Sequence, residues 1–109
     1  MCCHWLTLFE LLPLDPPSEI TELEDSEVDF GSKTRLKCSS VANPRPKYIW
    51  NYYRTDNVME EDEDGESHLI IQNASAHNMG SYTCQAWNDI GNVSKTVRVT
   101  VKGKVKCDA

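Results

Sequence analysis

Cysteine is the residue type with the widest chemistry in this chain, and five cysteines occur among its 109 residues: Cys2, Cys3, Cys38, Cys84 and Cys107. Thiolates bind zinc, exchange disulfides or form structural cross-links, and their spacing separates these roles. No pair here has the spacing of a zinc or redox motif. Cys38 and Cys84 are 46 residues apart, which suits a disulfide between two distant strands. Because the total is odd, at least one cysteine lacks a partner inside the chain, which indicates a fragment, an intermolecular bond or an inert thiol.

The other chemically capable residues form no catalytic set. His4, His68 and His77 have no serine, aspartate or cysteine arranged around them, and we expect them on the surface or at strand edges. The acidic run at residues 60–64 is a block of carboxylates, whereas a calcium loop needs spaced oxygen ligands. We predict a solvated loop there, with an electrostatic contact to a basic partner as the alternative. The sequence therefore predicts no enzyme, no metal and no cofactor.

Charge and hydropathy narrow the class of partner. The formal net charge is −6 and the pI is about 4.9, which argues against nucleic acid or an anionic membrane as the main partner. The longest apolar run, residues 5–14, contains Glu10 and Pro13, so it cannot span a bilayer, and membrane attachment would need an anchor missing from this chain. This run also lacks the basic start and the small-residue cleavage site of a secretory signal. The C-terminal segment carries three lysines, Lys102, Lys104 and Lys106. They indicate a polar linker or, alternatively, a heparin-type site.

Proline marks the predicted domain boundary. Three prolines within residues 13–17 predict a stiff, extended linker. We therefore divide the chain into three parts. Residues 1–17 are a linker, a leader or a non-native segment, and residues 18–102 are one domain. Residues 103–109 are a second linker or the start of a truncated next module.

Short segments of alternating apolar and polar residues fill the domain, and turn signals separate them. The alternation predicts strands over residues 19–23, 33–39, 47–53, 67–72, 81–87 and 93–101. No helical period persists along the chain. Short strands at this spacing predict an all-β fold, either a β-sandwich or a β-barrel.

The predicted strands place several large side chains on inward faces. Cys38 and Cys84 lie on an early and a late strand, where a disulfide can join opposite sheets and stabilise the fold by about 4 kcal/mol. Trp50 lies on a strand between them, where its indole can cover the sulfur pair. Tyr82 shares the inward face of Cys84, and its hydroxyl can bond back to the turn at residues 78–80.

These residues carry a family resemblance. The segments CSSVANPRPKYIW (residues 38–50) and NMGSYTCQAWNDIG (residues 78–91) resemble an immunoglobulin-like domain of the I-set or C2 type. The resemblance covers about residues 18–102 and includes Gly31, with Asn78 in place of the usual aspartate and Thr34 in place of the usual apolar residue. It implies an immunoglobulin-like β-sandwich, in which a disulfide joins two antiparallel sheets, with Trp50 in the core and Tyr82 at the corner. It also implies that the domain comes from a cell-adhesion molecule or receptor.

Two sequons and one tryptophan are the candidate surface sites. The triplets NAS at Asn73 and NVS at Asn92 match the N-glycosylation acceptor, and both fall at predicted exposed turns. Trp87 follows the inward Ala86, so its side chain should point outward. We expect it to anchor an interface or to pack against a neighbour such as Ile49.

The predicted function is recognition of a protein ligand or receptor by an extracellular or cell-surface module. One alternative is the immunoglobulin-like domain of a neuregulin-type growth factor, since a basic linker followed by VKCDA resembles the layout in which an epidermal-growth-factor-like module comes next. The other alternative is an intracellular structural domain of the muscle type, with reduced cysteines and unused sequons. The sequence leaves the ligand and the oligomeric state open.

Overall fold

The structure, a computed structural model, describes residues 14–103. Seven strands and one short 3₁₀ turn make up this part of the chain: β1 (Ser26–Asp29), β2 (Thr34–Ser39), β3 (Lys47–Asn51), β4 (Val58–Glu63), β5 (Glu66–Ile71), the 3₁₀ turn (Ala76–Asn78), β6 (Gly80–Trp87) and β7 (Asn92–Lys102). The predictions for residues 1–13 and 104–109 lie outside the described residues, and they include those for Cys2, Cys3, His4, Lys104, Lys106 and Cys107.

The strands form two sheets whose inner faces enclose one core. One sheet has the strand order β1-β7-β6-β3, and the other has the order β2-β5-β4. Neighbouring strands are antiparallel except β1 and β7, which pair in parallel. The predicted all-β sandwich is confirmed, with this one parallel pair as the difference from two purely antiparallel sheets.

The period-two alternation of strands explains which side chains form the core. On β6, Tyr82, Cys84 and Ala86 are buried, and the residues between them are at least partly exposed. β7 repeats the pattern with three buried valines that begin at Val97. Fully burying an aliphatic or aromatic side chain contributes about 1.5–3 kcal/mol, so these alternating positions help to hold the two sheets together.

The strand predicted over residues 19–23 does not form. Thr21 makes only an isolated bridge to Ser39, and Glu22 has a left-handed backbone with φ of 69°. Ile20 and Leu23 are nevertheless both buried, although they are three residues apart. A regular strand would point them to opposite faces, and the turn of the backbone at Glu22 lets both reach the core. The predicted strand is therefore wrong, although both apolar residues of the segment belong to the core.

The loop predicted for the acidic run is also wrong, because most of it is strand β4. β4 pairs along its whole length with β5 and is the edge of its sheet among the described residues. Side chains of β4 alternate between its two faces, and that of Glu60 lies on the side of Tyr52. The Tyr52 hydroxyl donates a hydrogen bond to the Glu60 carboxylate at 2.9 Å. Burial and this hydrogen bond raise the pKa of Tyr52 to about 12. Consecutive carboxylates on an edge strand also oppose pairing with a second copy of the strand.

Contacts of the fold extend upstream of the predicted boundary at residue 18. The backbone of Asp15 exchanges two hydrogen bonds with that of Asn43, at 2.8 and 3.2 Å. The Ser18 carbonyl accepts a hydrogen bond from the Ser40 hydroxyl at 2.7 Å. Residues 15–18 therefore lie against the sandwich, and the three-part division of the chain stays a prediction.

Candidate functional site

The disulfide predicted from the sequence joins the two sheets at the centre of the core. Cys38 on β2 and Cys84 on β6 are bonded, with their Cα atoms 6.5 Å apart. Both side chains are fully buried. The bond therefore connects one strand of each sheet in the part of the molecule that is best shielded from solvent.

Trp50 lies beside this disulfide and links the core to the acidic edge strand. It pairs in register with Cys84 and is 3% exposed. Its Nε1 donates a hydrogen bond to Ser67 Oγ at 2.9 Å, and the Ser67 hydroxyl in turn donates to the Asp62 carboxylate. The indole N–H is thus satisfied without leaving the core, as a buried tryptophan requires.

Tyr82 forms the corner that the sequence predicted. Its hydroxyl donates to the backbone carbonyl of Asn78 at 2.6 Å, and its ring stacks on Tyr52 with the ring centroids 5.5 Å apart. Burial raises the pKa of the Tyr82 phenol above its ordinary value. The phenol consequently stays neutral and able to donate at physiological pH.

The side chain of Asn78 completes this corner. It is fully buried, and its Oδ1 accepts from Ser75 N at 2.9 Å and from Asn57 Nδ2 at 2.8 Å. Its Nδ2 donates to Thr55 Oγ1 at 3.1 Å. An uncharged amide therefore fills the place of the usual aspartate, because it both accepts and donates in this pocket. Asn57 was missed by the sequence reasoning, since an asparagine in a polar segment carries no signal of burial.

Tyr82→Phe is expected to lower the free energy of unfolding by about 1–3 kcal/mol, because the buried Asn78 carbonyl loses its donor. Chemical denaturation of the purified domain measures this loss. Tyr53→Phe is the matched control, since Tyr53 is 72% exposed. Equal stability of the two variants would contradict the role given to the corner.

Trp87 lines an open groove on the outer face of the four-stranded sheet, beside the β6–β7 hairpin. The groove has a volume of about 500 Å³, and its apolar lining includes Trp87, Ile49 and Ile90. Ile49 is 49% and Ile90 is 45% exposed. Trp87 thus points outward beside Ile49, as expected, and its part in an interface stays a proposal.

Asn88 connects the β6–β7 hairpin to two neighbouring loops. The sequence reasoning treated Asn88 only as a turn residue and missed these contacts. Its Oδ1 accepts from Ile90 N at 2.9 Å and from Gly91 N at 3.1 Å, which closes the hairpin. Its Nδ2 donates to the backbone carbonyls of Asp15 at 2.8 Å and Pro44 at 3.0 Å. An asparagine directly after a strand and before a glycine turn was the available signal.

The structure places both sequon asparagines at exposed positions. Asn73 follows β5 in a left-handed conformation with φ of 53°, and Asn92 is the first residue of β7. Ser94, the third residue of the second sequon, is also exposed. Glycosylation at either position stays a prediction.

The prediction that His68 lies on the surface or at a strand edge is wrong, because His68 is 5% exposed and lies on the central strand β5. Its Nε2 lies 2.9 Å from Glu66 Oε2 and 3.8 Å from Glu63 Oε1, and Lys37 Nζ lies 3.3 Å from Glu66 Oε1. The hydrogen bond from His68 holds the pKa of the Glu66 carboxyl below its ordinary value. The central position of β5 between β2 and β4 causes the burial, and a sequence pattern cannot show which strands flank it.

Among the described residues, two carboxylates and the imidazole of His68 form a group that could hold a metal ion. The ligand atoms of Glu63, Glu66 and His68 all lie within 4.8 Å of one another. The carboxylate of Glu66 already contacts the His68 imidazole and the Lys37 ammonium, so its oxygens have partners within the protein. No helix between residues 14 and 103 is long and apolar enough to cross a membrane.

Two sheets cross-linked by a buried disulfide, with a tyrosine corner, are the architecture of an immunoglobulin-like sandwich. The sequence profile of the immunoglobulin domain matches residues 17–101. The chain therefore belongs to the immunoglobulin domain family. Domains of this fold are mostly non-enzymatic modules that mediate protein–protein contacts.

The chain is similar to proteins of several kinds. Human palladin is 36% identical over 93 residues, which are 79% of this chain and 7% of palladin. The rat limbic system-associated membrane protein is 32% identical over 97 residues, which are 83% of this chain and 28% of that protein. The chain thus spans less than a third of the length of these relatives. A solved chimeric titin Z1Z2 superposes with a TM-score of 0.75 at 24% identity, covering 84% of this chain and 98% of the titin chain.

Proposed function

We propose that this domain is an extracellular or cell-surface recognition module of a cell-adhesion molecule or receptor, and that it binds a protein partner without doing chemistry. The observation that carries the proposal is the buried disulfide between Cys38 and Cys84. Disulfides form and persist in oxidising compartments and are rare in the cytosol. A cross-link in the core therefore favours a domain that folds in the secretory pathway.

Three further observations support this proposal. Both sequon asparagines are exposed, as a glycoprotein of the secretory pathway requires. The similarity to a limbic system-associated membrane protein favours a surface address. The net charge of −6 disfavours nucleic acid as the partner. Trp87 is the residue that we propose for the contact, because partly exposed tryptophans anchor many interfaces.

A second candidate function is that of an intracellular structural domain. The similarity to palladin and to titin structures favours it. In that case Cys38 and Cys84 would be packed in the core as reduced thiols, and neither sequon would carry sugar. The redox state of the two cysteines therefore separates the two candidates.

Peptide mapping of the natively expressed protein tests this difference. Free thiols are blocked by alkylation in denaturant without a reducing agent, because both cysteines are fully buried in the folded protein, and the protein is then digested without reduction. We expect a linked peptide pair that contains Cys38 and Cys84. The same digest after reduction is the control, because it should release the two peptides separately. Full alkylation of both cysteines before reduction would favour the intracellular candidate.

A further inference from the structure

Two surface features that are separate in the sequence are neighbours in the fold. The β6–β7 register places Asn92 directly opposite Trp87. Opposed residues on antiparallel strands have their Cβ atoms about 4.5–5.5 Å apart, with both side chains on one face of the sheet. Asn92 also lines the groove that contains Trp87, Ile49 and Ile90. A sugar attached at Asn92 would therefore begin at the edge of the exposed apolar surface.

We propose that a glycan on Asn92 lies in this groove, with its first N-acetylglucosamine ring packed on the indole of Trp87. This inference rests on the proposed extracellular function, because N-glycosylation requires the secretory pathway. The glycan then occupies the surface that is open to a protein partner when Asn92 is unmodified. Occupancy of the Asn92 sequon thus controls access to the groove.

The chemistry of the two surfaces supports this contact. One face of an N-acetylglucosamine ring presents mainly C–H groups, and the indole offers a large, rigid apolar face. The hydroxyl groups on the rim of the ring stay in water, so covering the groove buries few polar groups. Because the sugar is tethered to the strand opposite the indole, the contact is intramolecular and avoids most of the entropy cost of association.

The second sequon provides an internal comparison. Asn73 lies outside the strands, in the exposed turn between β5 and the 3₁₀ turn. It therefore has no cross-strand aromatic partner such as Asn92 has in Trp87. A sugar at Asn73 is expected to project into solvent.

Proton NMR of the secreted protein, with each glycan trimmed enzymatically to one N-acetylglucosamine, tests the contact. The ring current of Trp87 is expected to shift protons of the Asn92 sugar upfield. Trp87→Ala should abolish this shift, and the signals of the Asn73 sugar should be the same in both proteins. Ser94→Ala removes the Asn92 sequon and so identifies its signals.

A second measurement does not depend on a change at Trp87. Complete enzymatic removal of the sugars should increase quenching of tryptophan fluorescence by acrylamide in the unsubstituted protein. It should leave quenching unchanged in Ser94→Ala, which carries no sugar at Asn92. Ser94 is exposed, so this control is expected to fold normally.

The outcomes separate this inference from the proposed function. Two free core thiols in the native protein would overturn the proposed function and the glycan contact with it. A secreted, disulfide-bonded protein with Asn92 unmodified would overturn the glycan contact alone. The same conclusion would follow if the Asn92 sugar signals were equal with and without Trp87 and quenching did not respond to sugar removal.

Discussion

Cys84→Ser is expected to lower the free energy of unfolding by about 4 kcal/mol and to prevent secretion of the domain. The bond closes a loop of 46 residues, and its loss releases the entropy that this closure removes from the unfolded chain. The new serine hydroxyl and the remaining Cys38 thiol would also lie in a core where both cysteine side chains are fully buried. Domains of this size are stable by about 5–15 kcal/mol in total, so the loss is a large share.

Chemical denaturation of the purified variant and the amount of protein in the culture medium measure these two effects. The double variant Cys38→Ala with Cys84→Ala is the control, because it removes the cross-link without burying a hydroxyl. We expect it to be less stable than the unsubstituted protein and more stable than Cys84→Ser. Normal secretion of a thermally stable Cys84→Ser protein would count strongly against the extracellular function.

Trp50→Ala is expected to lower the free energy of unfolding by about 3–5 kcal/mol, the range typical of large aromatic residues in cores. The side chain is 3% exposed and lies beside the disulfide. Its removal leaves a cavity and takes the indole donor away from Ser67 Oγ, which is fully buried. Two losses therefore add at one position.

The same substitution at the surface is the matched control for Trp50. Trp87→Ala removes an equal number of atoms from a partly exposed position, so we expect a clearly smaller loss. Trp50→Phe keeps an aromatic ring in the core and should fall between the two, because it mainly loses the hydrogen bond to Ser67. Equal destabilisation by Trp50→Ala and Trp87→Ala would contradict the assignment of Trp50 to the core.

Much of the sandwich could be predicted because the alternation of side chains between the two faces of a strand depends only on the local backbone. Each residue of a strand points opposite to its neighbour, so Tyr82 and Cys84 share a face whatever the rest of the chain does. The wrong predictions concern segments whose side-chain types favour one backbone conformation while the segment adopts another. Residues 58–63 are mostly charged and looked like a loop, yet backbone pairing with β5 makes them a strand. The left-handed backbone of Glu22 likewise ended a pattern that appeared regular.

The candidate sites were predicted only in part, since a sequence names residues and not their neighbours. His68 was expected on the surface or at a strand edge because no catalytic partners accompany it in the sequence, and the flanking strands bury it beside two carboxylates. The amide network of Asn57 and Asn78 forms across 21 residues and has no local signature. These contacts depend on which strands are adjacent, and adjacency is set by backbone hydrogen bonds between residues that are far apart in the sequence.

The sequence by itself determined an all-β fold, the pairing of Cys38 with Cys84 and the inward positions of Trp50 and Tyr82, because side chains alternate between the two faces of every strand. The resemblance of residues 38–50 and 78–91 to an immunoglobulin-like domain narrowed this fold to the sandwich. Only the tertiary structure decided that Asn92 stands opposite Trp87. The reason is physical: register is set by the hairpin turn and by the burial of one sheet face, and a shift of one residue would send every side chain of the strand to the other face.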